Sequence, residues 1–165
     1  MDKKHHIQTT KWDLLVCHPP CTYLTNAGAR WLLAGGILNK ERYKQGQEAK
    51  EFFMKFYNAD CEKIVIENPV PSAVFELPQY TQIIEPYMFG HPVTKKTCLW
   101  IKGLSPLKET NNVGKPSYEH TRYTQKSGKT RTVCWEMAQK GGSKIACERS
   151  KTFPGIALAM AEQWG

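Results

Sequence analysis

No apolar run in this chain approaches the roughly 18–20 residues that a membrane-crossing helix needs. The opening residues, Met1-Asp2-Lys3-Lys4-His5-His6, lack the apolar stretch of a secretory signal. A soluble, cytoplasmic protein with no membrane partner is therefore expected. Acidic charge is scarce: fifteen Asp and Glu face twenty-three Lys and Arg, a formal net charge of +8. That excess favours a polyanionic partner, a nucleotide or a nucleic acid. There is no Gly-x-Ser-x-Gly elbow to suggest a Ser/His/Asp hydrolase. Gly35-Gly36 is not followed by the Gly-Lys-Ser/Thr of a P-loop. Cys17 and Cys21 have ligand-like spacing, yet His18-Pro19-Pro20 stiffens the chain between them and no second close Cys/Cys or Cys/His pair completes a zinc set. The six cysteines lie at long, irregular spacings, so individually placed, reduced thiols are expected rather than a disulfide framework. His5, His6 and His18 make only a weak metal candidate, and no metal is expected.

What remains is enough for one folded domain over residues 1–165, with 41% hydrophobic and 11% aromatic residues to close a core. Trp12 to Cys17 is a short apolar run stopped by His18-Pro19-Pro20. Lys63 to Ile66 is a second, ending at Glu67-Asn68-Pro69, and Thr97 to Ile101 a third, ending at Lys102-Gly103. Length, β-branched content and Pro or Gly punctuation predict strands. Between the first two, Glu41 to Tyr57 places Tyr43, Ala49, Phe52, Phe53, Phe56 and Tyr57 at helical spacing, a stripe expected to be core. Strand, amphipathic helix, strand is the βαβ pattern of a parallel sheet. Thr152 as cap and Pro154 in the first turn predict a last helix over Ile156 to Trp164. Leu104 to Gly142 reads as an irregular excursion, and about 104–148 as a basic insertion. From Arg122 to Lys151 there are eight basic residues against two acidic ones.

In a parallel sheet, ligands collect beyond the carboxyl ends of the strands. The first two strands end in unusual loops, one bearing Cys21 and the other Glu67. A thiol and a carboxylic acid facing one crevice suit chemistry on a pyrimidine. A thiolate adding at C6 makes C5 enamine-like, and an acid near N3 stabilises the charge developing on the ring. Cys21 is then the candidate nucleophile and Glu67 the candidate acid. Pro20 and Thr22 flank the thiol, while Asn68 and Pro69 hold the glutamate's loop or meet a base edge. The bland alternative is that Cys21 fills a core and Glu67-Asn68-Pro69 is a turn.

Pro19-Pro20-Cys21 after one strand and Glu67-Asn68-Pro69 after the next resemble the nucleophile and glutamate motifs of the cytosine-C5 DNA methyltransferases. Tyr87 to Thr97, containing Phe89-Gly90-His91-Pro92, stands where that family carries a basic loop near the target base. Arg149 to Ala157 stands where its closing motif packs against the cofactor pocket. The run from Trp12 to Gly165 is most similar to a compact, bacteriophage-type group of methyltransferase-like proteins. The resemblance implies a truncated Rossmann-like α/β fold with a mainly parallel sheet, flanking helices and the basic insertion. It also implies that Asn26-Ala27-Gly28-Ala29-Arg30 is a mobile loop covering the target base, with Arg30 contacting phosphate. His91, Lys95, Lys96, Arg149 and Lys151 join the nucleotide- or base-binding set, although His91 and His120 have no partner legible in the sequence.

One departure shapes the functional expectation. The family's S-adenosylmethionine site draws on a strand, a glycine-bearing loop and a second strand's acid, all ahead of the Pro-Pro-Cys loop. Only eighteen residues precede Pro19, without glycine and with Asp2 and Asp13 as the only acids. A βαβ unit takes about 30 residues or more. The expected function is thus nucleotide or nucleobase binding on a degenerate C5-methyltransferase scaffold, with no cofactor. A phage-encoded binder that sequesters a nucleotide immune signal in the host cytoplasm is one such role. The alternative is a DNA cytosine-C5 methyltransferase that obtains its S-adenosylmethionine site from a partner chain or homo-oligomer, with Trp12, Tyr23 and Trp31 either lining a cofactor ring or lying in the core.

Overall fold

The computed structural model describes residues 11–34, 36–117, 122–124, 130–132 and 151–165. The protein is α/β, and its chain gathers into two compact units, residues 1–84 with 96–106 and residues 85–95 with 107–165. The first unit runs β1 (Leu15–Cys17), α1 (Asn26–Ala29), β2 (Leu33–Ala34), β3 (Ile37–Leu38), α2 (Lys40–Tyr57), β4 (Ile64–Pro69), β5 (Gln82–Ile84) and β6 (Thr97–Lys102). Four of these strands make one sheet of order β1-β4-β6-β5, while β2 and β3 pair as a separate hairpin.

The expected βαβ unit is present. β1 and β4 are parallel, with Leu15 opposite Ile64 and Cys17 opposite Ile66, and α2 is the crossover between them. Asn39 starts α2 by accepting a hydrogen bond from the Arg42 N–H at 3.0 Å. Glu41 in the first turn and Lys55 in the last complement the helix dipole. Phe53 is wholly buried and meets Trp100 edge to face, ring centroids 5.0 Å apart. Ile64, Ile66, Phe75, Leu24 and Cys98 complete this core. The predicted aromatic stripe is only partly core, because Tyr43, Phe52 and Tyr57 remain exposed. Gly46 takes the inward position about two turns before Phe53 instead, where the Phe75 ring presses on the helix backbone.

The sheet is mixed, which corrects the mainly parallel expectation. β6 runs antiparallel to both β4 and β5. A parallel connection needs a long crossover, usually helical, and the link from β5 to β6 holds only one short 3-10 turn, Pro86–Met88. The same antiparallel partner lengthens β4. Glu67, Asn68 and Pro69 are not a loop but paired strand residues, opposite Leu99, Cys98 and Thr97. Residues 26–30 are likewise not a loop. They form a helical turn whose N–H at Gly28 is accepted by the Thr25 hydroxyl at 3.3 Å, with Arg30 at its carboxyl cap.

The second unit contains β7 (Arg122–Thr124), β8 (Thr130–Thr132) and α3 (Pro154–Trp164). β7 and β8 pair antiparallel, so the basic insertion holds a hairpin; its remaining residues from 118 to 150 lie outside the described residues. Pro154 opens α3 as expected, but Phe153 rather than Thr152 occupies the cap position, without a side-chain cap. Ile156, Ala159, Met160 and Trp164 are its buried face. Gln163 clasps residue 108 twice, accepting from the Lys108 N–H and donating to the Lys108 carbonyl, both at 2.9 Å. Among the described residues no helix is long and apolar enough to cross a membrane.

Candidate functional site

β1 stops at Cys17 while β4 continues three residues past its partner, Ile66. The chain leaving β1 runs alongside the tip of β4. His18 lies against Glu67, and Pro19 against Asn68. His18 Nδ1 and Glu67 Oε2 are 2.7 Å apart, with His18 46% and Glu67 12% exposed in their side chains. The Asn68 amide donates to the Pro19 carbonyl at 3.0 Å, and Asn68 is buried to 2%. Side chains alternate along a strand. Glu67 and Asn68 accordingly leave opposite faces of β4 and cannot both read one base edge, as the sequence suggested for them. The Asn68 side chain ties the two tips together, and Glu67 pairs with His18.

The Cys21 loop is fixed to the same tip. Leu24 and Thr25 donate their N–H groups back to the Cys21 carbonyl at 3.1 and 3.3 Å, closing a tight turn that begins at Cys21. The Ser72 N–H then reaches the Leu24 carbonyl at 2.7 Å, tying that turn to the chain just beyond Pro69. Cys21 is partly exposed, and Pro20 and Thr22 beside it are exposed. Cys17, Cys61 and Cys98 are buried free thiols. Burial pushes Cys17 up to about 12, with the neighbouring Cys61 adding to it. Cys98 rises to about 11, burial outweighing the opposing effect of Lys96. Both are held as inert thiols at neutral pH. Cys134 and Cys147 lie outside the described residues.

The sequence-predicted phosphate ligands are not all brought together. Arg30 and Lys96 are exposed residues of the first unit, and the Arg30 guanidinium lies 4.7 Å from the centre of the Trp31 ring. His91, Lys95 and Lys151 belong to the second unit, and Arg149 lies outside the described residues. His91 has a structural partner that the sequence did not show: its Nε2 accepts the Gly155 N–H at 3.0 Å, near the start of α3. Lys95 lies over the Phe153 ring at 5.8 Å. Trp12 and Trp31 are exposed rather than core, at 44% and 58%, and Tyr23 lies beneath the Arg42 guanidinium at 5.1 Å.

His18 is the functional candidate that sequence reasoning undervalued, weighing it only as a weak metal ligand. The signal was available. The two strand ends, Val16-Cys17-His18-Pro19-Pro20 and Val65-Ile66-Glu67-Asn68-Pro69, align so that Pro20 matches Pro69 and His18 matches Glu67. No group of three or more His, Cys, Asp or Glu among the described residues is arranged to hold a metal ion. A cavity of about 540 Å³ exists in the first unit, lined by Tyr57, Asn58, Ile64, Trp100 and Lys102 among others. It adjoins Ile64, the opposite end of β4 from Glu67, and its Trp100 indole is already committed to the Pro78 carbonyl at 2.7 Å. The His18–Glu67 tip carries the better-matched chemistry. The chain has no significant match among protein-family models, curated proteins or solved structures.

Proposed function

We propose that this chain binds a nucleobase or nucleotide at the joint tip of β1 and β4, on a truncated Rossmann-like scaffold related to the cytosine-C5 methyltransferases. The observation that carries the reading is the 2.7 Å contact between His18 and Glu67. The reading is supported by this pair lying at the carboxyl ends of two parallel strands, where ligands of such sheets collect, with the partly exposed Cys21 four residues beyond Cys17. A carboxylate kept there needs a polar ligand to complete its hydrogen bonds when the crevice is filled. The base edge goes to Glu67, the ring lies toward the Cys21 turn, and Arg30 and Lys96 are the basic groups of the same unit that serve a phosphate.

The family resemblance implies S-adenosylmethionine, which requires a glycine-bearing loop at one strand tip and an acid at the next. The described parallel tips are closed by Pro20 and Pro69 instead. These residues do not fit the cofactor. Calorimetry of the chain with S-adenosylmethionine and with mono-, di- and cyclic nucleotides tests the reading. Micromolar binding of a nucleotide, lost in Glu67→Gln, supports it. Micromolar binding of S-adenosylmethionine, with Cys21-dependent trapping on DNA containing 5-fluorocytosine, establishes the methyltransferase in its place.

A further inference from the structure

The cavity at the other end of β4, about 540 Å³, falls within the size range of small-molecule sites, about 300–1,000 Å³. Its place follows from the strand register. Ile64 pairs with Lys102 and Ile66 with Trp100; paired residues share a face of the sheet, as do residues two apart along one strand. Ile64, Trp100 and Lys102 therefore lie on the face that α2 covers, where Phe53 meets Trp100. α2 ends at Tyr57. Tyr57 and Asn58 line the cavity on the helix side, and Gln79 and Thr81 line it from the chain entering β5.

The lining divides into a fixed apolar wall and a set of uncommitted polar groups. Trp100 is held edge to face by Phe53 and Tyr80, ring centroids 5.0 and 6.0 Å apart, and by its indole N–H on the Pro78 carbonyl. Thr81 commits its hydroxyl to Ile101, accepting from the N–H at 3.0 Å and donating to the carbonyl at 3.5 Å. Tyr57, Asn58, Gln79 and Lys102 are exposed, and among the described residues their side chains make no hydrogen bond or ion pair. Lys102 is the one charged residue of the described lining. A single ammonium, with no carboxylate and no guanidinium beside it, suits one negative charge. A phosphate ester carries about −1.5 to −2 and calls for more cations or an arginine fork. The carboxyl end of α2 brings partial negative charge to the Tyr57 side, which turns a ligand's acid group toward Lys102. We infer that this cavity binds a small monocarboxylate with a flat apolar body. The body lies between Tyr57 and the wall of Ile64 and Trp100, the carboxylate pairs with Lys102, and Asn58 and Gln79 supply hydrogen bonds at the rim. This site is distinct from the base-binding tip and does not depend on it.

Titrating the ¹⁵N-labelled full chain with indole-3-acetate and with its neutral analogue indole-3-acetamide tests the inference. Indole-3-acetate should shift the amides of Tyr57, Asn58, Gln79, Thr81 and Lys102 and the Trp100 indole N–H. It should bind about threefold to tenfold tighter than the neutral analogue, the effect of one charge-assisted contact at a partly open site. Lys102→Gln, at an exposed position, should remove that difference. Gln79→Glu, which sets a like charge at the rim, should weaken the acid more than the neutral analogue. Lys44→Gln, an exposed lysine of α2 outside the cavity, should change neither. Absence of shifts around the cavity at millimolar indole-3-acetate, equal affinity for the acid and its neutral analogue, or an acid preference that survives Lys102→Gln overturns the inference. The same shifts on addition of GMP would assign the cavity to the nucleotide, overturning the carboxylate inference and the base-binding tip together. Failure of indole-3-acetate alone leaves the tip to its own titrations.

Discussion

Asn68 is a small residue on which the geometry of the tip depends. Its buried amide is the hydrogen bond that holds Pro19, and with it the chain leading to Cys21, against β4. Asn68→Ala should destabilise the fold by about 1–3 kcal/mol, the cost of stranding a buried polar partner, read as a lower urea midpoint. Nucleotide affinity should fall with it. The thiols make a second prediction at this scale. Cys21 is partly exposed, whereas Cys17, Cys61 and Cys98 are buried, so iodoacetamide followed by peptide mapping should find Cys21 modified well before those three. Cys17 and Cys98 also shape the alkaline limb of stability. Unfolded, each thiol loses its proton near 9.0, but folded only near 12 and 11. Between those values the unfolded state binds fewer protons, so stability is full below the window and falls as pH rises through it. Urea midpoints at about pH 8 and about pH 10.5 should show the drop, and Cys17→Ser should flatten it. At the residue level, the end of β1 before His18-Pro19-Pro20 was legible because proline punctuates a strand. The place of Glu67 and Asn68 within β4, on opposite faces, was not, since face alternation is known only once those residues are placed inside a strand.

α2 and the turn of α1 fix where the tip's loops can lie, and glycine matters in both. A methyl group on Gly46 would sit 2.1 Å from Cζ of Phe75, a ring that is itself buried. Alanine gains about 1 kcal/mol of helix propensity, but overpacking a closed core costs about 1–3 kcal/mol. Gly46→Ala should therefore lower the urea midpoint despite improving the isolated helix. Gly28→Ala meets backbone instead, the Thr22 carbonyl at 2.0 Å. It should displace the Cys21 turn and weaken nucleotide binding more than Gly46→Ala does, measured by calorimetry on both variants. The βαβ element itself was readable from sequence because strand punctuation and a helical period coincide over Trp12 to Ile66. The mixed sheet was not, for a physical reason. Thr97 to Ile101 has the same apolar content whichever way it runs, and only its pairing with Glu67 to Pro69 reveals both its direction and the longer β4. The aromatic stripe misled in a similar way: periodicity identified the inward side of α2, but Gly46 and Phe53 are its only fully buried residues.

Across the whole molecule, the net charge of +8 sets how binding should respond to salt. A polymeric nucleic acid releases many counterions on binding, so its affinity falls steeply with salt, while a mononucleotide shows a shallow slope. Titrations of GMP and of a single-stranded oligonucleotide at two salt concentrations should differ in this way, and equal slopes would show that no more of the strand is engaged than one nucleotide. The charge excess was visible in composition, and the sequence concentrates most of it between Arg122 and Lys151. The central claim is that ligand enters at the joined tips of β1 and β4, and amide chemical shifts of the ¹⁵N-labelled chain on addition of GMP test it most directly. The account predicts shifts concentrated at His18, Cys21, Thr22, Glu67 and the Asn68 side-chain amide. Shifts confined instead to Tyr57, Asn58, Trp100 and Lys102, around the cavity at the other end of β4, would contradict it.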